Sequence, residues 1–477
     1  MSKMLSPDFD TNVNRINELL HIDQSFDLMY RTMNIGGKKA CFYFVGGMLD
    51  SDMMEKLMEF FYLLEPEKEK LSINEWTKHC LPYGQVEFYQ NLEDFLKKLL
   101  SGVPCLLVDG YDKIIGVDFR TYPGRGVEEP TKDRVMRGSR DGFVESLVMN
   151  IALIRRRIRS RELINEAHTV GTSSKTDVVL CYMKDRVNSQ FLESIQNRIK
   201  DIKIDALTMN QESLAECLYK GSWLNPFPKF KYTERPDATA AAILEGNIVI
   251  MVDNSPSAMI LPSSIFDIME EADDFYFPPF TGTYLKFSRF LINLFAWLLA
   301  PTFLLLLMYP QWIPEGLSFI MLKEPPHIPV LVQFLILEFA IDGMKLASLN
   351  TPSMLSTPLS VVAGIVLGDF TVSSGWFSSE IMLYMAFITI ANYSQANFEL
   401  GYALKFMRML CLITTGIFGV WGYVGGVVLV IFLVSWNKTI SGKSYLYPLI
   451  PWNKRQFLHR FLRVSLPTSE KGQDFAK

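Results

Sequence analysis

The sequence predicts a duplicated α/β two-lobe cytoplasmic head followed by an α-helical polytopic membrane domain. Three observations predict it. A strand, helix and hairpin pattern recurs at nearly one spacing in the first part of the chain. The run FSRFLINLFAWLLAPTFLLLLMY, from Phe287 to Tyr309, carries a single charge, Arg289. The mean hydropathy of +0.14 averages a polar first part with an apolar second.

The duplication rests on two pairs of segments. Lys39 to Leu64 reads as a buried strand, a turn and an amphipathic helix, and so does Val178 to Ile202. Phe44 falls on Tyr182, Leu49 on Val187, Ser51 on Ser189 and Leu57 on Ile195, each 138 residues apart. Leu99 to Phe119 is two β-runs around the turn DGYD, matched by Ile243 to Pro262. Here Gly102 falls on Gly246 and Asp109 on Asp253, 144 residues apart. Two offsets so close imply one α/β unit used twice, with a small insertion in the second copy.

The first apolar run has the roughly 20 residues that a helix needs to cross a bilayer, and a helix satisfies its own backbone there. The N-terminus, MSKMLSPDFDTNVNRINELLHID, has neither an apolar signal core nor a small-residue cleavage site, so the head is expected to remain in the cytoplasm. The expected layout is an N-terminal segment (1–30), a first lobe (31–126), an Arg-rich helical linker (127–165) and a second lobe (166–284). A membrane domain (285–436) and a basic cytoplasmic tail (437–477) complete it.

Composition excludes some classes. A net charge of −4 gives no reason to expect nucleic acid as a partner. The six cysteines form no CxxC pair and read as buried, reduced thiols. The five histidines lack metal-ligand spacing, and no nucleophile elbow, zinc helix, dinucleotide fingerprint or P-loop occurs. No catalytic residue, metal or cofactor is therefore assigned, and the chain does not read as an enzyme.

In the linker, Phe143, Leu147, Ile151, Ile154 and Ile158 make one apolar helical stripe, with Arg155, Arg156, Arg157, Arg159 and Arg161 crowding its C-terminal half. Basic residues there complement the helix dipole. They read either as a solvated face or as a docking surface for carboxylates of a neighbouring subunit or for anionic headgroups.

In the membrane half, Glu338, Asp342 and Lys345 share one face of a helix. Charges at bilayer depth cost about 2.5 to 3.5 kcal/mol each on insertion scales and must face protein or water. They read as helix glue through an Asp342–Lys345 pair, or as a stripe lining an ion path. Asp369 and Glu380 add two more acids of the kind that line cation pores. Lys405, Arg408 and the basic tail mark cytoplasmic edges under the positive-inside rule, so the number of crossings should be even. About five apolar segments are legible. Either the segment around Glu338 is re-entrant, or the glycine-broken run from Met409 to Val434 doubles back on itself.

RGSRDGFVESLVMNIALIRRRIRS and NPFPKFKYTERPDATAAAILEGNIVIMVDNSP resemble the A-subunit family of bacterial spore germinant receptors, the GerA family. The likeness runs from about Asp27 to Pro467 and implies a head of two similar lobes, a membrane domain, residence in the spore inner membrane and assembly with other germination membrane proteins. Carried over by position, the signature residues are Arg137, Gly138, Arg140, Gly142, Phe143, Glu145, Asn150, Arg155, Arg156, Arg157, Glu234, Arg235, Pro236 and Asp237. After the membrane glutamate the chain reads MKLASLNTP where many receptor A subunits carry REAGxRLP, and with GDF and GWFSSEIMLY it looks more like the SpoVAF branch. That branch implies a homo-oligomer among membrane lipids that conducts ions with a partner and amplifies germination. The rival readings are a signal-relaying A subunit acting on a separate channel and a secondary transporter, for which no inverted repeat is visible.

Overall fold

The computed structural model describes residues 5–6, 8–66, 71–122, 138–219, 225–350, 364, 370–395 and 397–463. These divide into two compact units, residues up to 219 with Phe230–Pro262, and 225–229 with 263–463. The division falls at Pro262, so residues 263–284, expected in the second lobe, belong to the second unit.

Each lobe of the first unit is a five-stranded antiparallel sheet with helices packed on it. The first contains α1 (Phe9–Leu20), β1 (Leu28–Ile35), β2 (Lys38–Val45), α2 (Ser51–Leu63), α3 (Ile73–Cys80), β3 (Val86–Tyr89), α4 (Leu92–Leu99), β4 (Cys105–Val108) and β5 (Ile114–Val117). The second contains α5 (Leu147–Arg157), β6 (Leu163–Val170), β7 (Thr176–Met183), α6 (Ser189–Lys200), α7 (Asn210–Leu218), β8 (Lys231–Thr233), α8 (Pro236–Leu244), β9 (Ile248–Val252) and β10 (Ala258–Leu261). Strand order is β1-β2-β4-β5-β3 in one and β6-β7-β9-β10-β8 in the other.

The copies agree in register as well as order. Cys41 pairs with Leu107 and Phe42 with Leu106; the residues 138 and 144 positions on, Val179 with Met251 and Leu180 with Ile250, pair likewise. Gly102 and Gly246 both have φ of 93°, a left-handed conformation that favours glycine. A Cβ on Gly246 would also lie 2.9 Å from the Arg186 carbonyl oxygen.

Successive residues of a strand face opposite sides, and β2 uses both. Cys41, Tyr43 and Val45 join a core with α1 and α4, while Ala40 and Phe42 join one with α2 and α3. In the second lobe α5 packs where α1 packs in the first. Phe9, Val13, Ile16 and Leu20 are buried, and their counterparts 138 residues on, Leu147, Ile151, Ile154 and Ile158, form one core with Val179, Cys181 and Met251. Residues 127–165 are therefore not only a connection. Their helix opens the second copy, as the supposed N-terminal segment opens the first.

An asparagine in each of these two helices ties down the chain that leads into it. Asn12 Oδ1 accepts from the Ser6 amide and its Nδ2 donates to the Ser6 carbonyl, both at 2.7 Å. Asn150 does the same to Val144, at 2.9 and 2.5 Å. Residues 144 and 150 are again the 138-shifted images of 6 and 12.

The second unit is helical, with α9 (Ile265–Met269), α10 (Asp273–Tyr276), α11 (Pro279–Met308), α12 (Val330–Asn350), α13 (Ser379–Tyr393), α14 (Phe398–Trp436) and α15 (Lys454–Phe461). Both α11 and α14 are long and apolar enough to cross a membrane. The α12 segment is a continuous helix of 21 residues.

The α14 run doubles back, the second of the two alternatives raised by the odd number of apolar segments. At Gly419 the backbone leaves helical geometry, with φ 58° and ψ −133°. A Cβ on Gly426 would lie 3.4 Å from the Cα of Cys411, and one on Gly422 would strike the Thr414 carbonyl. Partners that approach as one number rises and the other falls define an antiparallel hairpin of legs 398–418 and 420–436. At 1.5 Å per residue these are about 31 and about 26 Å long.

The tail also folds back. Arg460 binds Glu270 at 3.1 Å and ion-pairs with Asp267, and Phe461 packs its ring on Phe266 and Phe290. At least this tail charge is matched within the unit, which weakens its value as a marker of membrane side.

Candidate functional site

The polar centre of the helical unit lies where α12 faces the first leg of α14. Glu338 and Asp342 are four apart on one helix, and Lys405 and Arg408 are three apart on the other, so each pair presents on one face. Because the helices run antiparallel, Glu338 meets Arg408 and Asp342 meets Lys405.

Glu338 and Arg408 form a two-pronged pair. Nε donates to Oε1 at 2.6 Å and Nη2 to Oε2 at 2.9 Å, with side chains 2% and 0% exposed. The remaining Arg408 arm, Nη1, donates to the Ala296 carbonyl of α11, tying three helices together. Lys405 Nζ donates to the Glu338 backbone carbonyl at 2.9 Å and to Asp342 Oδ2, and lies 3.5 Å from Glu338 Oε2. Asp342 differs from Glu338 in being a third exposed. It opens on a pocket lined also by Lys345, Thr389, Asn392, Tyr393, Tyr402 and Lys405.

Lys345 does not pair with Asp342 as the sequence suggested. Its ammonium stands over the rings of Phe398 and Tyr402, at 4.9 and 4.5 Å, an arrangement worth about 0.5 to 2 kcal/mol depending on desolvation. Lys405 and Arg408, read as a cytoplasmic edge, are instead buried counterions. Buried cations matched by carboxylates cease to report which side of a membrane they face. Glu380 sits in the first turn of α13, where a carboxylate complements the helix dipole, and makes no ion pair among the described residues. Asp369 and Arg137 lie outside the described residues.

In the first unit the signature residues converge around the loop that leads into α5. Arg157 binds Asp141 through Nη2 at 2.6 and 2.7 Å. Burial opposes ionisation of that carboxyl, but Arg157 and Ser139 win and hold it below the usual carboxylate range. Arg235 grips Asp237 at 3.0 and 2.6 Å and donates to the Ser139 carbonyl at 3.0 Å. The Phe143 amide donates to the Glu234 carbonyl at 2.8 Å, and the Asn254 amide to the Glu145 carbonyl at 2.9 Å. Pro236 takes the first position of α8, which its missing N–H suits. Gly138 and Gly142 lie in the loop before α5.

Arg155 is wholly buried on Asp27, and Arg156 stands 4.6 Å over the Tyr122 ring. Of the five arginines of the run, Arg155 and Arg157 are thus spent on the fold; Arg156, Arg159 and Arg161 remain exposed, as does Arg140 in the preceding loop. The six cysteines are free and five are buried. Burial pushes the Cys41 thiol up to about 12. Among the described residues no cluster of His, Cys, Asp or Glu could hold a metal ion.

A further buried cation lies outside the long helices. Lys229 Nζ bonds Asn437 Oδ1 and the Lys438 carbonyl, the latter at 2.7 Å, 5.1 Å from the Tyr445 ring. Burial lowers its pKa from 10.5 to about 8. The unfolded chain then holds a proton that the folded chain has released between about 8 and 10.5, so stability rises with pH across that window. Lys229→Met is expected to abolish this rise and to increase the melting temperature below it, as thermal unfolding in detergent at a series of pH values will show.

A family model described as Bacillus/Clostridium GerA spore germination protein matches residues 14–475. Stage V sporulation protein AF of Bacillus subtilis (strain 168) is 33% identical over 93% of this chain and 90% of its own length. Spore germination protein KA of the same organism is 25% identical over 98% and 86%. The crystal structure of the N-terminal domain of the A subunit of the Bacillus megaterium spore germinant receptor GerK3 is 28% identical, covering 54% of this chain and 96% of that one, with a TM-score of 0.41.

Proposed function

The chain belongs to the GerA family of spore germination proteins, and from that premise we propose that it is an oligomeric, ion-conducting membrane subunit that amplifies germination. In this reading it resides in the spore inner membrane, with head and tail in the cytoplasm, among other germination membrane proteins. The observation that carries the reading is the state of Asp342. It is a carboxylate one third exposed, opening on a pocket whose wall also carries Lys345, Thr389 and Asn392, in the same unit as the long apolar helices α11 and α14. A charge is tolerated at such depth where it borders water, and a water-lined carboxylate attracts cations.

Glu338 plays a different part, as the dry pillar that fixes the position of its neighbour. That same dryness supports a second reading, a signal-relaying A subunit in which the Glu338–Arg408 pair couples helices mechanically and a separate channel conducts.

Ion flux through proteoliposomes separates the two. For a conducting subunit, Asp342→Asn should change conductance or selectivity severalfold while the protein remains folded. Unchanged flux in a folded Asp342→Asn variant, or no flux from the wild type with its partner subunits present, would favour the relay.

A further inference from the structure

The Lys405 ammonium sits where a monovalent cation would be coordinated. Its partners are all oxygens: the Glu338 backbone carbonyl at 2.9 Å, a carboxylate oxygen of Asp342 and Glu338 Oε2 at 3.5 Å. A helix carbonyl already accepts an intrahelical bond, and Lys405 draws on its second lone pair. Mixed carbonyl and carboxylate oxygens suit a hard cation, and an ammonium group is close to potassium in size. Asn392, on the wall of the same pocket, has a buried side-chain oxygen with no hydrogen-bond partner among the described residues. An oxygen in want of a partner thus belongs to a residue of the pocket wall.

Charge balance points the same way. Arg408 alone neutralises Glu338 through both carboxylate oxygens, so Lys405 is not needed for that acid. Its charge is left to balance Asp342, as a bound monovalent cation would. We infer that Glu338 O, Asp342 and Asn392 form a monovalent alkali-cation site, and that Lys405 is a tethered cation that fills it in the closed protein. The inference deepens the ion-conducting reading, on which it rests, by naming the site and the group that blocks it.

The test measures binding, separately from conduction. Lys345 lines the same pocket, so Lys405→Gln is combined with Lys345→Gln to stop a second ammonium from taking the place of the first. The full-length double variant is titrated with potassium chloride from about 1 to about 100 mM, against choline chloride at equal ionic strength. A ligand that binds only the folded state raises the melting temperature with concentration. The expected rise is roughly 2 to 4 °C in potassium and none in choline. The wild type and Lys405→Arg, which keep a tethered cation, should show none, and adding Asp342→Asn to the double variant should remove it.

A folded double variant with no potassium dependence overturns the site, as would a wild type that responds equally. Should the double variant not fold, Lys405→Met in saturating potassium takes its place, and failure of that variant to recover in potassium also overturns the site. Potassium binding without flux from any variant would instead remove the conduction reading and leave the site standing.

Discussion

Arg408→Met is expected to be the most damaging single substitution in the helical unit, costing about 3 to 5 kcal/mol. It leaves the Glu338 carboxylate, 2% exposed, charged and without its main partner among apolar helices. The cost comes from the stranded charge more than from the lost attraction, because taking two ions out of water offsets most of what their pairing returns. That distinction makes a second prediction possible within the same cycle. Glu338→Met combined with Arg408→Met strands nothing and should recover most of the loss, whereas Glu338→Met alone leaves Arg408 buried with its Ala296 carbonyl and little else. Thermal unfolding of the four proteins in detergent gives the coupling directly. A double variant as unstable as Arg408→Met would mean that the pair specifies how the helices pack and is more than a neutralised pair of charges.

The same pair shows where sequence reasoning stops. The acids on α12 are legible as one face because a helix repeats every 3.6 residues, but their partners lie 63 and 70 residues further on. Lys405 and Arg408 carry a signal that reads equally well as a membrane edge. Their spacing of three, set against a spacing of four on α12, is the pattern two antiparallel helices need to match charges. The duplicated head is legible from strands and glycines, whose offsets of 138 and 144 reappear in the sheet registers. Its first helix is harder to see, because the Arg-rich end of α5 masks the apolar positions it shares with α1. Phe9, Val13, Ile16 and Leu20 lie at the same intervals as Leu147, Ile151, Ile154 and Ile158. The repeat therefore begins earlier than its strands. In α14 the glycines announce a break but leave its direction open, since a bend and a full reversal use the same residue type.

Arg155→Met is the corresponding prediction for the head, and it exploits a place where the two copies differ. At the 138-residue offset Asp27 corresponds to Asn165, and Arg155 to Asn17. The charged residue of each position occurs in one copy only, and the two meet. Arg155 Nε and Nη2 bind Asp27 at 2.6 and 3.1 Å, while Nη1 and Nη2 hold the Ser160 and Leu163 carbonyls at 2.9 and 3.0 Å. One guanidinium thus joins the chain just before the first strand of one lobe to the same place in the other. Asn165, the neutral image of Asp27, is fully buried, and its side-chain carboxamide has no partner among the described residues. Losing Arg155 strands the Asp27 carboxylate and two carbonyls, at a cost of about 3 to 5 kcal/mol. Amide exchange in β1 and β6 of the full-length protein should then speed up by roughly a hundred- to a few-thousand-fold. Arg155→Lys keeps the charge but not the fork and should fall between. Arg156→Ala, which loses only its place over Tyr122, should cost under about 1 kcal/mol. If Arg155 were instead a docking residue for another subunit, Arg155→Met would leave exchange in β1 and β6 of the isolated protein unchanged.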